Sequence, residues 1–349
     1  MAPASDLRWQ LADDGAGPQG ALFEDVVERH VGKGEYRGLE FLHVNARRII
    51  NEVPAASRLP FRYTINAYRG CSHACTYCFA RPTHEFLGMD AGADFDSKIV
   101  VKVNAAERLR AELAPSRWAG DHIAMGTNTD PYQRCEAKYR LTQEIVRELA
   151  AARNPFSILT KSTLILRDLD LLAEAATVTD VRANFSIGTL DDEVWKLTEP
   201  GTPHPRQRVE AVARLAGAGV PCGVLVAPVL PGLSDRPEQL EAVVRASVEA
   251  GAASVTPILL HLRPGVREHY LGWLAGARPD LVADYQELYP RAYAPKARQE
   301  ELARQVASLV ARHGGRSASP RQTRTPGPRR LHARPVPSSP RPRQLALDV

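Results

Sequence analysis

Three of the five cysteines of this 349-residue chain lie within eight residues of one another. They have the spacing Cys71-x3-Cys75-x2-Cys78, in the stretch YRGCSHACTYCFARPTH, whereas Cys135 and Cys222 stand alone. Disulfides inside so short a loop would be strained or would constrain little. The first residues, MAPASDLRWQ, lack the basic-then-apolar order of a secretory signal, so we expect a reducing environment. An odd number of clustered thiols in such a chain predicts a metal centre.

The number of thiols suggests which metal centre it is. Three thiolates on one short loop can hold three irons of a [4Fe–4S] cubane and leave the fourth iron open. Electron-transfer clusters of this type take four cysteine ligands, so the missing ligand predicts a place for one from outside the protein. A Cys3His zinc site is the alternative, because His84 follows Cys78 with five residues between them.

Six short apolar runs rich in β-branched residues alternate with amphipathic helical patterns. This alternation predicts a parallel sheet with helices outside it, either doubly wound or an incomplete barrel. In both folds the residues at the carboxyl ends of the strands line the site. The predicted strands are 61–67, 122–127, 156–161, 181–187, 222–229 and 254–260, and the predicted helices among them are 105–113, 141–153, 166–176, 206–218 and 237–250.

Composition divides the chain into three parts. Residues 1–45 form an N-terminal extension of low regularity with one weakly helical piece, LFEDVVERHV, which we expect to pack across a barrel end. Residues 46–313 form the core with its C-terminal helices. Residues 314–349 contain seven Pro and eight Arg, which predicts a disordered tail.

The charge is concentrated in that tail. Its net charge of +7 exceeds the +5 of the whole chain, so residues 1–313 carry a net charge of −2. Composition therefore does not identify the folded part as a nucleic-acid binder. The tail is either a solubilising segment or an arm that binds RNA, DNA or a protein. No run approaches the ~20 apolar residues that span a bilayer, so we expect a cytoplasmic protein without a membrane partner.

The cysteine loop, in which Tyr77 precedes Cys78 after the first strand, resembles that of the radical SAM superfamily. The chain is more closely similar to the branch related to spore photoproduct lyase and, within it, to an actinobacterial group of uncharacterised proteins. The similarity covers about residues 35–300 and includes PFRYTINAYRGC, CFARPTHEFL, GTNTDPYQ, LTKS, NFSIGTLDD and VLVAPVLPGLSD. Relatives usually have proline where Ala67 stands. The resemblance implies a partial (β/α)6 TIM-type barrel of the α/β class that binds a [4Fe–4S] cluster and S-adenosylmethionine.

The resemblance also implies which residues hold S-adenosylmethionine. Thr129 and Asp130, after the second strand, would contact the methionyl amino group. Lys161, at the end of the third strand, would neutralise the carboxylate, and Ser186, at the end of the fourth, would bind the ribose or the carboxylate. Tyr77 would lie against the adenine. Such charge matching is physically sound. The alternatives are that Asp130 simply starts a turn with the next proline and that Lys161 is a solvated strand end.

By the same resemblance, the chain is an enzyme that cleaves S-adenosylmethionine reductively to a 5′-deoxyadenosyl radical, which abstracts hydrogen from a substrate. The electron would come from a cellular one-electron reductant of the flavodoxin or ferredoxin type. The substrate is unidentified, and nucleic acid is the candidate that the family suggests, with a reaction like that of a DNA repair lyase. The alternative is a non-catalytic, metal-stabilised nucleic-acid-binding protein.

Residues that would act on the substrate are harder to assign. Spore photoproduct lyase uses a cysteine in the second-strand loop to return hydrogen, and the position that best matches it here is Thr127. Cys135 is the candidate hydrogen donor, with a helix-start thiol as the alternative reading. Cys222 is expected in the core. His261 and Arg263 close the sixth strand and are candidates for substrate contact, although His261 could instead be buried with a backbone partner.

Overall fold

The computed structural model describes residues 26–316, apart from residues 55, 56, 58 and 117. Most of the predicted N-terminal extension and all but three residues of the predicted tail lie outside the described residues. The strands are β1 Val26–Val31, β2 Glu40–Val44, β3 Ile50–Glu52, β4 Tyr63–Ile65, β5 Tyr68–Arg69, β6 Lys98–Lys102, β7 Ile123–Met125, β8 Phe156–Thr160, β9 Val181–Ser186, β10 Cys222–Val229 and β11 Ser254–Leu259.

Helices follow most of the strands. They are α1 Ala93–Ser97, α2 Ala105–Leu113, α3 Glu136–Tyr139, α4 Leu141–Ala151, α5 Leu169–Val178, α6 Asp192–Thr198, α7 Pro205–Gly217, α8 Pro237–Glu249, α9 Val266–Ala277, α10 Val282–Leu288 and α11 Lys296–Arg312. Among the described residues, no helix is both long and apolar enough to cross a membrane.

Seven strands form the main sheet, in the order β11-β10-β9-β8-β7-β4-β3. The six strands from β4 to β11 in this order are parallel, and β3 pairs antiparallel with β4 at one edge. The edge strands β3 and β11 do not pair with each other in the described chain, so the barrel is incomplete. All six predicted strands and the partial (β/α)6 barrel are confirmed.

The helices bury one face each against this sheet. In α4, Leu141, Ile145 and Leu149 recur every four residues and are buried, which places them on one stripe of the helix. They belong to a large hydrophobic cluster that also includes the inward residues of β7, β8, β9 and β10. Burial of apolar area of this kind, worth about 25 cal/mol per Å², holds the helices in place and fixes the strand ends that carry the site.

A second sheet of four strands has the order β1-β2-β6-β5. The interpretation of LFEDVVERHV as weakly helical is wrong for its described part, because residues 26–31 form strand β1. This strand pairs antiparallel with β2, which in turn runs parallel to β6. Hydrogen bonding to a neighbouring strand therefore decides the structure here, and local helical preference does not.

Candidate active site

The cysteine loop follows β5 at the carboxyl end of the barrel strands. Two tight turns shape it: the amide of Ala74 donates to the carbonyl of Cys71 at 3.1 Å, and that of Cys78 donates to the carbonyl of Cys75 at 3.2 Å. Ala74 adopts a left-handed backbone with φ of 50°, an uncommon conformation for a residue with a side chain. All three thiols are free, and Cys71 and Cys75 are buried. The turns therefore fold the three cysteines into one compact loop, in which Cys78 packs against both buried clusters that contain Cys71 and Cys75.

Arg81 fixes the loop from one side. Its buried Nη2 donates to the carbonyl of Cys75 at 3.0 Å and contacts both carboxylate oxygens of Asp96, at 2.9 and 3.0 Å. Further hydrogen bonds reach the carbonyls of Ala91 and Gly92. Because a guanidinium presents its donors in a rigid plane, these contacts hold the loop in a single geometry.

A later part of the chain fixes the loop from the other side. The amide of Thr76 donates to the carbonyl of Thr198 at 3.0 Å, and the amide of Gly201 donates to the carbonyl of His73 at 3.1 Å. A Cβ atom on Gly201 would lie 2.2 Å from the carbonyl oxygen of Ser72. Only glycine permits this approach, so the loop and the segment after α6 are locked together.

The thiols fit a four-iron cluster better than a single zinc ion. One zinc ion with Zn–S bonds of about 2.3 Å would hold its sulfur ligands about 3.8 Å apart. In the part of the chain that the structure describes, one set of three potential ligands has all its atoms within 4.8 Å, and these cysteines are not in it. The wider spread suits a cluster in which each thiolate binds a different iron.

Burial controls the protonation state of the three loop thiols. Burial, followed by the negative charge of neighbouring groups, raises the pKa of Cys71 and Cys75, and burial also raises the pKa of Cys78. The thiols are therefore protonated in the free protein, and metal ions must displace their protons on binding. His84, the fourth ligand of the zinc alternative, is fully buried, and its Nε2 lies 3.0 Å from the carbonyl oxygen of Lys98.

Three of the residues assigned to S-adenosylmethionine meet beside the loop. Lys161 Nζ donates to Ser186 Oγ at 2.5 Å and lies 5.6 Å from the centre of the Tyr77 ring. Ser186 Oγ in turn donates to the carbonyl of Ala227 at 2.6 Å. Lys161 is therefore no solvated strand end: its side chain is 14% exposed and is held over an aromatic face.

Glu199 and Arg208 complete this group, and sequence reasoning missed both. Glu199 accepts hydrogen bonds from Tyr77 Oη and from Arg208 Nη2, the latter at 2.5 Å, and its carboxylate lies 3.4 Å from Lys161 Nζ. Burial opposes ionisation, but Arg208 and Lys161 outweigh it and lower the pKa of Glu199 to about 2. Arg208 is fully buried and also donates to the carbonyl of Ser186 at 3.0 Å.

Thr129 and Asp130 lie after β7 and bind the protein itself. Thr129 Oγ1 donates to the carbonyl of Gly70 at 2.7 Å, directly before the cysteine loop. Asp130 accepts hydrogen bonds from the Thr160 hydroxyl at 2.6 Å and from the Lys161 amide at 2.7 Å. A third bond, from the amide two residues after Asp130, makes the expected turn. Burial alone would raise the pKa of Asp130, but His73 and these hydrogen bonds lower it, so the carboxylate is anionic.

The two isolated cysteines both belong to the main hydrophobic cluster. Cys135 precedes α3, has no exposed surface, and packs among core residues. A hydrogen donor has to reach the substrate. The burial of Cys135 therefore favours its interpretation as a thiol at the start of a helix over that as a hydrogen donor. Cys222 begins β10 and is buried, as expected for a core residue.

A row of aromatic rings borders the loop on the outside. Phe79, next to Cys78, is 41% exposed, and its ring centre lies 6.4 Å from that of His261. The ring of Tyr293, which is 64% exposed, continues the row at 5.4 Å from His261. The guanidinium of Arg263 lies 5.8 Å from the Phe79 ring centre. His261 is half-buried and bridges to the backbone of Tyr293. The exposed ring of Phe79 could have been suspected from its position after Cys78; Tyr293 carries no sequence signal.

Comparison with known proteins places this geometry in a family. Residues 65–245 match the model of the radical SAM superfamily. An uncharacterized protein of Mycobacterium tuberculosis is 47% identical over 302 residues, which cover 86% of this chain and 88% of the relative. A radical SAM Nα-GlyT isomerase of Pseudomonas phage M6 is 24% identical over 163 residues, which cover 47% of this chain and 32% of the isomerase.

Solved structures show the same fold. A mutant of spore photoproduct lyase superimposes with a TM-score of 0.58 at 19% identity, covering 78% of this chain and 79% of that chain. The lyase complexed with dinucleoside spore photoproduct gives a TM-score of 0.56 at 20% identity over the same shares. Since the family model spans more than half of the chain and the mycobacterial relative covers most of it, the protein belongs to the radical SAM superfamily, whose members use a [4Fe–4S] cluster and S-adenosylmethionine.

Proposed function

We propose that this enzyme abstracts a hydrogen atom from a nucleic-acid substrate, with Cys71, Cys75 and Cys78 as the cluster ligands. When bound, the cluster and S-adenosylmethionine supply a 5′-deoxyadenosyl radical by one-electron reduction. The protein's own residues bind, orient and shield the reactants. The electron donor is a cytoplasmic reductant of the flavodoxin or ferredoxin type.

The observation that carries the cofactor assignment is the charge around Lys161. Within this group of contacts, Lys161 and Arg208 carry two positive charges, and Glu199 carries one negative charge. A surplus positive charge in so buried a place is costly unless an anion joins it. The carboxylate of S-adenosylmethionine is such an anion, and Lys161 is the side chain to receive it. Ser186 holds the lysine at the correct end of the barrel.

The other predicted contacts fit around this one. The Tyr77 phenol stays neutral, because burial and then the charge of Glu199 raise its pKa, and its ring offers an apolar face for the adenine. Asp130 supplies a buried negative charge at the end of β7, on the side proposed for the methionyl ammonium. Thr129 positions the first turn of the cysteine loop through the Gly70 carbonyl.

The row of rings at Phe79, His261 and Tyr293 supports a nucleic-acid substrate. Nucleobases stack on exposed aromatic side chains and on guanidinium planes, and each stacked base contributes about 1–3 kcal/mol. The row lies beside Cys78, so a base stacked on it would be near the cluster. The structural neighbour solved with a dinucleoside photoproduct agrees with this substrate class.

Replacement of one cluster ligand tests the enzymatic proposal. Cys75→Ala should abolish the brown iron–sulfur chromophore of anaerobically purified protein and the release of 5′-deoxyadenosine on reduction. Cys222→Ala is the matched control, because it removes a buried thiol outside the loop and should keep both. Iron content near four per chain is expected for the native protein. A colourless zinc protein would instead support the non-catalytic binding module and refute the proposal.

Replacement of the exposed rings tests the substrate class. Phe79→Leu and Tyr293→Leu should each weaken binding of single-stranded DNA or RNA by about 5- to 150-fold, the loss expected for one stacked base. Phe86→Leu is the control, since Phe86 is 64% exposed but lies outside the row. Equal affinities for all three variants, measured by fluorescence anisotropy on cluster-loaded protein, would rule out the row as a binding surface for nucleic acid.

A further inference from the structure

We propose that Glu28, His30 and His43 form a second metal site, which binds a divalent transition-metal ion of the zinc class. Glu28 and His30 are two residues apart on β1, so their side chains share one face of the sheet. His43 stands opposite Glu28 on β2. The three side chains therefore converge on one face, at the edge of the four-stranded sheet opposite to β5, which leads into the cysteine loop.

The distances between ligand atoms suit a single small ion. Glu28 Oε1 lies 3.0 Å from His30 Nε2, and Glu28 Oε2 lies 3.5 Å from His43 Nδ1. All three ligand atoms lie within 4.8 Å of one another. A tetrahedral zinc ion with bonds of about 2.0 Å separates its ligands by about 3.3 Å, so little movement is needed to close the site.

His43 is already oriented as a ligand. Its Nε2 lies 2.8 Å from the Tyr139 hydroxyl, and the two rings meet edge to face at 5.2 Å. With the ring proton on Nε2 donated to Tyr139, the lone pair is on Nδ1, the atom that faces Glu28. Metal-binding histidines are commonly fixed by such a hydrogen bond on the other nitrogen.

Charge favours a cation at this place. The ring centres of His30 and His43 are only 4.5 Å apart, so protonating both imidazoles would place two positive charges together. Two imidazole nitrogens and one carboxylate, bound as ligands, would leave a divalent ion with one net positive charge. The 58% exposure of the Glu28 side chain leaves room for water as a fourth ligand.

Such an ion would fasten the edge of the sheet. β1 pairs only with β2 among the described strands, and edge strands fray readily. An ion with ligands on both strands cross-links them beside their backbone hydrogen bonds. Metal binding should therefore slow hydrogen exchange of the β1 amides. If Glu28 and the two histidines form only ion pairs and bind no metal, added zinc should not change this exchange.

Zinc titration of the untagged, cluster-loaded full chain tests the site, because the loop cysteines are then occupied by iron. Calorimetry should show one zinc ion bound, and His30→Gln, His43→Gln and Glu28→Gln should each weaken binding at least tenfold. His313→Gln is the matched control: His313 pairs with Glu241 at 3.2 Å without a third ligand, and the variant should bind zinc like the native chain.

Hydrogen exchange supplies an independent measurement. Zinc should protect the amides of β1 in the native chain and leave them unchanged in His43→Gln. Absence of zinc binding, equal affinity in the three ligand variants, or zinc-independent exchange of β1 would each overturn the proposal. None of these results bears on the cluster, since iron content and 5′-deoxyadenosine release are measured separately.

Discussion

Replacing Glu199 with glutamine removes one negative charge from the buried group beside the cysteine loop and keeps the shape of the side chain. Arg208 is then left without its carboxylate while fully buried, and Lys161 loses the anion 3.4 Å from its Nζ. Removing one partner of a buried ion pair costs about 3–5 kcal/mol, because the other charge stays desolvated. The shift of the Glu199 pKa from 4.5 to about 2 gives a similar figure, about 3 kcal/mol.

A loss of this size is measurable by thermal unfolding under anaerobic conditions. Since 1 kcal/mol corresponds to about 2–4 °C for domains of 150–250 residues, we expect Glu199→Gln to lower the Tm at pH 7 by about 6–12 °C. Glu300→Gln is the control, because its partner Lys296 is 90% exposed and such surface pairs contribute little. Its Tm should stay within about 2 °C of the native value.

The pH dependence of the Tm provides a second test of the Glu199 ion pair. The carboxyl of Glu199 has a lower pKa in the folded than in the unfolded protein, so its stabilisation is complete above the ordinary value of 4.5 and is lost as the pH falls toward 2. The Tm difference between native protein and Glu199→Gln should therefore be largest at neutral pH and shrink below about pH 4.5. A constant difference down to pH 3, or a Tm change at pH 7 no larger than in Glu300→Gln, would refute the account of this ion pair.

Three further predictions concern the loop, the backbone and the tail. Arg81→Lys keeps one nitrogen but loses the Nη1 donor that bonds to the carbonyls of Ala91 and Gly92, so we expect a loss of about 1.5–3 kcal/mol and a lower iron content. Gly126→Ala places a Cβ 2.0 Å from the Leu159 carbonyl oxygen at a φ of +88°, and should lower the Tm and the soluble yield. Gly272→Ala is the control: no atom lies within 4 Å of its Cβ, so this variant should raise the Tm. Removal of residues 317–349, with their seven Arg, should reduce the salt dependence of DNA binding and leave iron content unchanged.

The barrel was predictable because its signals are local. The run CGVLVAPV is apolar along its length, as a strand buried on both faces must be, and the predicted bounds 222–229 match β10. The bounds 105–113 likewise match α2. The cysteine loop was equally predictable, because its three cysteines lie within eight consecutive residues.

The second sheet and the buried ion pair depend on contacts between distant residues. Strand β1 forms because it pairs with β2, and no pattern within VVERHV predicts that pairing. The β-branched run KIVVK is typical of a strand, and it forms β6. It was not predicted as one because it does not fit the alternation of strands and helices in the barrel. Glu199 and Arg208 sit at the end of one helix and within the next, in positions typical of solvated charges, and only the fold reveals that both are buried.

The contacts that lock the cysteine loop to the segment after α6 also determine when, during synthesis of the chain, the loop can take its final shape. Thr76 and Thr198 are 122 positions apart, so at about 5–20 residues per second a ribosome needs about 6–24 s to reach the second after the first. During that interval the thiols are already synthesised, but the segment after α6 that fixes their loop from the second side is missing. We therefore expect iron delivery to succeed only on chains that have grown past Gly201, and nascent chains arrested before that residue should acquire no cluster.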